Sequence, residues 1–316
     1  MVENDKALAH VVHGDGGIAR SLPKGGIHLA MGTHSVPLIA ELVQVHETHG
    51  QTLVSAPVLG RPPAAAAGQL GILAGGPAAA VEKCRPLFEA MGRRTFECGE
   101  KQVGAAAAKI ANNLVLACAI EGMAEGFILA EKCGVPGAAF SDILTDGLFA
   151  SPAYKIYGKI IAEKTYLSNP GFAATTGLKD VNLALNAGEM AGVPLPSAGV
   201  CRDRLVSAIA RGHGDADWSV MADEQARASV SGLIAGMPRP RALVAVGDCA
   251  VNRCVFAESP CLSVPLAQAF HVNVEIGGCP PTPQAIIEAI SEARRLLSDQ
   301  PAKTDVQPAP VVTSDT

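Results

Sequence analysis

"VGAAAAKIANNLVLA", residues 103–117, is the segment on which the reading of this chain turns. Alanine and leucine are strong helix formers, so the segment predicts a helix. On a helix, residues three and four apart share a face, which stacks the Lys109 amine over the amides of Asn112 and Asn113. A polar cluster thus interrupts a nearly apolar rod. Such clusters commonly mark a helix edge where a lysine reaches along its own stem to water, and the spacing by itself carries no mechanism.

The surroundings of this segment give it a place in a fold. Upstream, short apolar runs alternate with amphipathic segments, as in an α/β layer. "GIHLAM" (26–31) predicts a strand, and "VPLIAELVQVHETHG" (36–50) a helix closed by Gly50. "TLVSAP" and "QLGILAGG" predict further strands, and "AAVEKCRPLFEAMG" a helix ending at Gly92. From Gly104 to about Arg227 strand signals vanish, and helical stretches follow one another between Gly and Pro. Past residue 236, "RALVAVGDC" (241–249) and "FHVNVEI" (270–276) predict strands, and "TPQAIIEAISEARRLL" (282–297) a helix with Pro283 in its first turn. The remaining tail has too little apolar periodicity to fold. The expected fold class is α/β: an incomplete sheet layer (1–103), an all-helical domain (104–227), a small α/β fragment (237–297) and a disordered tail (298–316).

Composition narrows the function. Of the 316 residues, 48% are hydrophobic and 17% charged, as in a soluble globular protein. Aromatics are only 4%, so the core is expected to pack small side chains closely. The net charge of -5 and the lack of a basic patch argue against nucleic acid as a partner. The first residues lack a signal-peptide core, and the apolar windows are broken by Lys109, Asn112, Asn113, Glu121 and Glu125; the expectation is a cytosolic protein with no membrane insertion. In such a protein nine cysteines read as thiols or ligands instead of disulfides. Cys84, Cys98, Cys118, Cys133 and Cys201 are scattered and read as packing residues, whereas Cys249, Cys254, Cys261 and Cys279 cluster. "HETH" (46–49) lacks the spacing of a zinc helix.

From about Val11 to Arg227 the sequence resembles the β-hydroxyacid dehydrogenase family, which includes 3-hydroxyisobutyrate dehydrogenases and tartronate semialdehyde reductases. Four motifs in order carry the resemblance: "HLAMGTHSVPLIAEL", "SAPVLGRPPAAAAGQLGILAGG", "AAAAKIANN" and "GFAATTGLKDVNLAL". It implies a Rossmann-like layer, a helical domain, and hydride transfer between NAD or NADP and a small 3-hydroxy acid or semialdehyde. Lys109 would be the general acid/base and Asn113 would hold the substrate oxygen. Gly60, Arg61 and Asn112 would serve the substrate side; Arg61 would replace, through its guanidinium, a family serine that is Leu59 here. Thr33, Phe172 and Lys179 would face the cofactor, and the helical domain would form a homodimer.

The family opens with a strand, a G-x-G-x-x-G turn and a helix that cradle the pyrophosphate. Gly14, Gly16 and Ala19 match the spacing, but the stretch before them reads as helix, so they are expected to form an ordinary turn. The chain is therefore expected to lack the cradle, with weakened cofactor binding. "MPRPRALVAVGDCAVNRCVF" and "VNVEIGGCPPTPQAIIEAI" resemble a second family, the iron-sulfur subunit shared by [NiFe] hydrogenases and the respiratory quinone reductase. There, Cys249 and Cys279 would be two of four thiolates on a [4Fe-4S] cluster. The other two are not in their expected place, which argues against a bound cluster. Besides the dehydrogenase, the alternatives are an electron-transfer subunit and a noncatalytic fusion remnant.

Overall fold

Alternating patterns in the first hundred residues do build a sheet layer. The computed structural model describes residues 1–168, 170–223, 242–247, 251, 271–278 and 280–298. Helix α1 (Asp5–His13) starts at Asn4, whose side chain accepts from the Ala7 amide, and ends in a glycine turn leading to the short α2 (Ile18–Ser21). Strand β1 (Ile27–Ala30) is followed by α3 (Val36–Thr48), capped by the Ser35 hydroxyl. β2 (Thr52–Ser55) lies parallel to β1, pairing Ile27 with Thr52 and Ala30 with Ser55. β3 (Val58–Leu59) and α4 (Pro62–Ala66) then lead to β4 (Leu70–Ala74). β3 pairs antiparallel with β4, and β4 pairs parallel with β5 (Gly92–Glu97) across α5 (Ala78–Met91). A bridge between Ser55 and Gly75 links the β1–β2 pair to the β3–β4–β5 group.

Three of these elements were not expected from the pattern. β3 is two residues long, α4 is a proline-started single turn, and β5 is a half-exposed strand of sequence GRRTFE that lacks an apolar alternation. Register with an already formed neighbour places such a strand, and periodicity cannot report it.

The spine is α6, Gln102–Lys132, a single helix of 31 residues. Its length and composition would also suit a membrane crossing. Here its first turns pack on α3, β2 and β4 and its later turns enter the helical core. Gly104 lies so close to the carbonyl oxygen of Cys98 that a Cβ there would collide with it. The helical part adds α7 (Gly137–Asp146), α8 (Pro152–Glu163), α9 (Ala174–Ala191), α10 (Pro196–Ala210) and a 3-10 turn, Trp218–Ala222. Its core contains Ala117, Ile120, Phe127, Val181, Leu205 and Trp218. As the composition implied, small residues such as Ala174, Ala198 and Ala208 are completely enclosed, which lets the helices approach closely.

Residues Met1–Arg227 form one compact unit and Ala228–Thr316 a second. In the second, β6 (Val244–Val246) runs parallel to β7 (Val274–Ile276), and α11 (Pro283–Ser298) packs against both. Pro283 opens α11, and the Thr282 hydroxyl accepts from the Ala285 amide, as an N-cap does. The tail beyond Ser298 lies outside the described residues.

Candidate active site

Helix α6 carries Lys109 and Asn113 one turn apart, and α9 brings Lys179 and Asp180 against them. Asn113 is buried, with 6% of its surface exposed, and its Nδ2 donates to Asp180 Oδ2 at 2.6 Å. Asp180 is only 2% exposed, and its Oδ1 lies 3.1 Å from Lys179 Nζ. Lys109 is half-buried, and loss of water lowers its pKa below the ordinary 10.5. The Asp180 carboxylate opposes that fall, and the Lys179 charge adds to it. Two lysines, one carboxylate and one carboxamide therefore form a single electrostatic group.

Asn112 and Asn113 part company in the structure. Asn112 is exposed and donates from Nδ2 to Asn113 Oδ1 at 3.3 Å, so it bears on the site through its neighbour. Lys179 is half-buried in the second turn of α9. Its Nζ donates to the carbonyls of Glu3 (3.0 Å) and Thr33 (3.1 Å), tying α9 to the loop between β1 and α3. Thr33 does not cap α3, since Ser35 does; its carbonyl is the acceptor for Lys179. Asp5 holds the same loop from the other side, accepting from the Ser35 amide and pairing with buried His34.

On the substrate side, Gly60 has φ 143, and a Cβ there would lie 2.7 Å from Leu70 Cδ2, so the position requires glycine. Arg61 reaches from the same loop to Asp217, Nη2 donating to Oδ2 at 3.3 Å, with its guanidinium 5.0 Å from the Tyr157 ring centre. Asp217 is 1% exposed and also accepts from the amides of Gly171 and Ser219 and from the Ser219 hydroxyl. Arg61 thus already has an internal carboxylate partner. Phe172 packs edge-on against Trp218 at 4.9 Å, and Trp218 Nε1 donates to the Tyr157 hydroxyl at 2.7 Å.

Lys109, Asn113, Thr33 and Lys179 are brought together through Asp180 and the β1–α3 loop; Gly60, Arg61 and Phe172 gather around Asp217, Tyr157 and Trp218. Asp180 belongs to the Lys-Asp pair of the fourth motif but has no role assigned by it, and no motif singles out Asp217 or Tyr157 as a site residue. A signal existed for Asp180: it shares a buried stripe of α9 with Gly177, Val181, Ala184 and Gly188, where an acid needs a partner. No comparable signal marks Asp217, whose partners Arg61 and Gly171 come from two distant loops and Ser219 from the turn that Asp217 caps.

Gly14 and Gly16 follow helix α1, not a strand, and lead into α2. The glycine turn therefore lacks the strand–turn–helix arrangement of a pyrophosphate cradle, as expected. Cys249, Cys254, Cys261 and Cys279 lie outside the described residues. Gly247 and Gly278, which precede Cys249 and Cys279, are neighbours at the ends of β6 and β7, and the Gly247 amide donates to the Ile276 carbonyl at 2.7 Å.

Comparison with known proteins agrees with this fold. Residues 1–99 match the family model described as the NAD binding domain of 6-phosphogluconate dehydrogenase. Residues 104–224 match the one described as NAD-binding of NADP-dependent 3-hydroxyisobutyrate dehydrogenase. Residues 204–293 match the model of the NADH ubiquinone oxidoreductase 20 kDa subunit. The chain is 38% identical over 221 residues to the uncharacterized oxidoreductase YfjR of Bacillus subtilis, covering 70% of this chain and 77% of that protein. It is 31% identical to 2-(hydroxymethyl)glutarate dehydrogenase of Eubacterium barkeri, covering 70% and 74%. A structure of Mycobacterium tuberculosis 3-hydroxyisobutyrate dehydrogenase with L-serine superposes with a TM-score of 0.63 at 28% identity, covering 72% of this chain and 78% of that one. With a sheet layer joined by one long helix to a helical core, and relatives matched along most of their length, the chain belongs to the NAD-binding β-hydroxyacid dehydrogenases of the 3-hydroxyisobutyrate and 6-phosphogluconate dehydrogenase type.

Proposed function

We propose that this chain is an NAD(P)-dependent oxidoreductase acting on a small 3-hydroxy acid or its semialdehyde. The supporting observation is a half-buried Lys109 with lowered proton affinity, one turn from an asparagine fixed by a buried carboxylate. Lys109 takes the proton from the substrate hydroxyl during oxidation and returns it to the carbonyl oxygen during reduction. Lowered proton affinity suits a group that must both give and take a proton near neutrality. Asn113, its amide held by Asp180, keeps the substrate oxygen beside the amine. Gly60 lets the loop backbone come close to the substrate carboxylate, with Asn112 supporting from the surface. Arg61 offers that carboxylate the N–H donors that Asp217 does not use, a guanidinium having five.

A nicotinamide, when bound, supplies or accepts the hydride. Thr33, Phe172 and Lys179 would hold its end of the dinucleotide, and the Lys179 bonds to the Thr33 and Glu3 carbonyls make a fixed polar rim suited to that role. The pyrophosphate end has no such fit, because the glycine turn stands between two helices. We therefore propose weak cofactor binding, with a noncatalytic helical unit as the second reading favoured by that turn. A homodimer through the helical part accords with the apolar side chains that part leaves exposed, among them Val115, Leu129, Ile143 and Leu148.

The test follows nicotinamide absorbance with 3-hydroxy acids and semialdehydes, with each of NAD(H) and NADP(H). Turnover that falls by about a hundredfold or more in Lys109→Ala supports the proposal, in line with the loss expected for a general acid/base. Calorimetric binding of neither dinucleotide, with no turnover by the parent chain, supports the noncatalytic reading instead.

A further inference from the structure

Arg61 is held in place by residues that arrive from the far end of the first unit. Its backbone is extended, with φ -97 and ψ 168, as the proline that follows it requires. Its Nη2 donates to Asp217, and its guanidinium carbon lies over the Tyr157 ring. Gly171 comes so close that a Cβ there would collide with Nη1 and Cζ. These holders are themselves fixed. The Gly171 amide donates to Asp217 Oδ2 at 3.1 Å, the Trp218 amide donates to the Phe172 carbonyl at 2.8 Å, and the Trp218 indole holds the Tyr157 hydroxyl. Asp217 divides its charge between Arg61, the Gly171 amide and the amide and hydroxyl of Ser219, so it does not saturate the guanidinium. The bond between them uses one N–H of the five that an arginine carries, and Arg61 keeps 30% of its side chain exposed. A guanidinium ordered in advance gives up little freedom when an anion reaches it.

We infer that Gly171, Asp217 and Tyr157 are positioning residues that aim Arg61 at a carboxylate, and that this clamp makes the site select acids over their neutral amides. The inference rests on the reading of Gly60 and Arg61 as the substrate side and adds to it what sets the specificity. The carboxylate meets a planar fork of N–H donors whose direction is fixed by the ring beneath it, the buried acid beside it and the glycine against it. An amide of the same shape brings an N–H group where an acceptor is needed and no charge for the guanidinium to answer. Gly171 matters because any larger residue would occupy the space of the guanidinium, and its backbone is not left-handed, so alanine there adds a methyl group without backbone strain.

Trp218 is the one tryptophan in the sequence, so its fluorescence reports on this clamp. The full chain, with and without NAD, is titrated with 3-hydroxyisobutyrate and with its amide. The acid should bind about tenfold or more tighter than the amide, as expected for a charge-assisted hydrogen bond. Arg61→Ala should bring the two affinities together. Gly171→Ala should weaken acid binding in the parent and have no further effect in the Arg61→Ala background, where there is no guanidinium to displace; an equal effect in both backgrounds reveals a merely structural glycine and overturns the proposal. Should Gly171→Ala fail to fold, Arg61→Lys decides: a several-fold loss of the preference for acid supports the clamp, and a preference equal to the parent's overturns it, since a flexible ammonium would then serve as well. Equal binding of acid and amide by the parent, or binding of neither, also overturns it. A chain that prefers the acid through Arg61 but never oxidises it keeps this inference and loses the dehydrogenase reading, whereas one that turns over acid and amide alike loses this inference alone.

Discussion

Taking a cation out of water lowers its proton affinity, and both Lys109 and His28 show it. For Lys109 the shift serves the chemistry proposed, and its size is set against the Asp180 charge. Asp180→Asn removes that charge while keeping an oxygen able to accept from Asn113. The Lys109 pKa should then fall further, moving the corresponding limb of the kcat/KM pH profile to lower pH. A profile unmoved by the substitution would detach Asp180 from the proton transfer. His28 is a different case: its Nδ1 meets His46 Nε2 at 2.8 Å, and His46 Nδ1 meets Gln51 Oε1 at 2.7 Å. Gln51 Nε2 donates to the carbonyls of Ala19 and Leu22, which leaves Oε1 as the acceptor and puts the His46 proton on Nδ1. His46 Nε2 therefore accepts from His28, and both rings are held neutral. The His28 pKa falls from 6.5 to about 4, mainly through burial. The unfolded chain binds the proton first, so this stability is present above pH 6.5 and is lost as pH falls towards 4. Urea melts at pH 7.5 and 4.5 should differ by up to ~3 kcal/mol from this group, and His28→Phe should flatten that dependence.

At the level of helices and strands, close approach decides what each element tolerates. Gly177 on α9 faces Trp218, and a Cβ there would lie 2.7 Å from Trp218 Cε3. Alanine would improve helix propensity by about 1 kcal/mol in an open helix. Here overpacking against a buried indole should outweigh that gain, with a net loss of about 1–2 kcal/mol in denaturant melts. A stability equal to that of the parent would mean that the 3-10 turn yields easily. The alanine-rich α6 was legible from propensity alone, as were β1, α3, β2, β4 and α5 from their periodicity. β5 was not: its Arg93 and Arg94 are exposed, and only pairing with β4 makes the segment a strand.

Across the whole of Met1–Arg227, the loop after β3 and the segment before the 3-10 turn are joined by Arg61 and Asp217, 156 residues apart. The two partners are unequal. Arg61 is 30% exposed and Asp217 1%. Removing Asp217 strands the Gly171 amide, the Ser219 amide and the Arg61 charge at once, so Asp217→Ala should cost about 3 kcal/mol or more. Arg61→Ala leaves Asp217 its other donors and should cost about 1 kcal/mol. Urea melts of both single variants and the double variant measure the coupling, and equal losses would contradict the asymmetry.

The amino-acid order alone determined which segments are helix or strand wherever an apolar face repeats, and it placed Lys109 and Asn113 on one turn, because helix geometry is local. It also carried the dehydrogenase resemblance, since the four motifs keep their order and separation. Packing alone settled that Asn113 turns inward and Asn112 outward, that Lys179 spends its donors on two carbonyls, and that Arg61 meets Asp217. Those outcomes depend on which buried polar group finds a partner from a distant segment, and a group removed from water must find one. Such partners are chosen by the meeting of α6, α9 and the loops, which no single window of sequence contains.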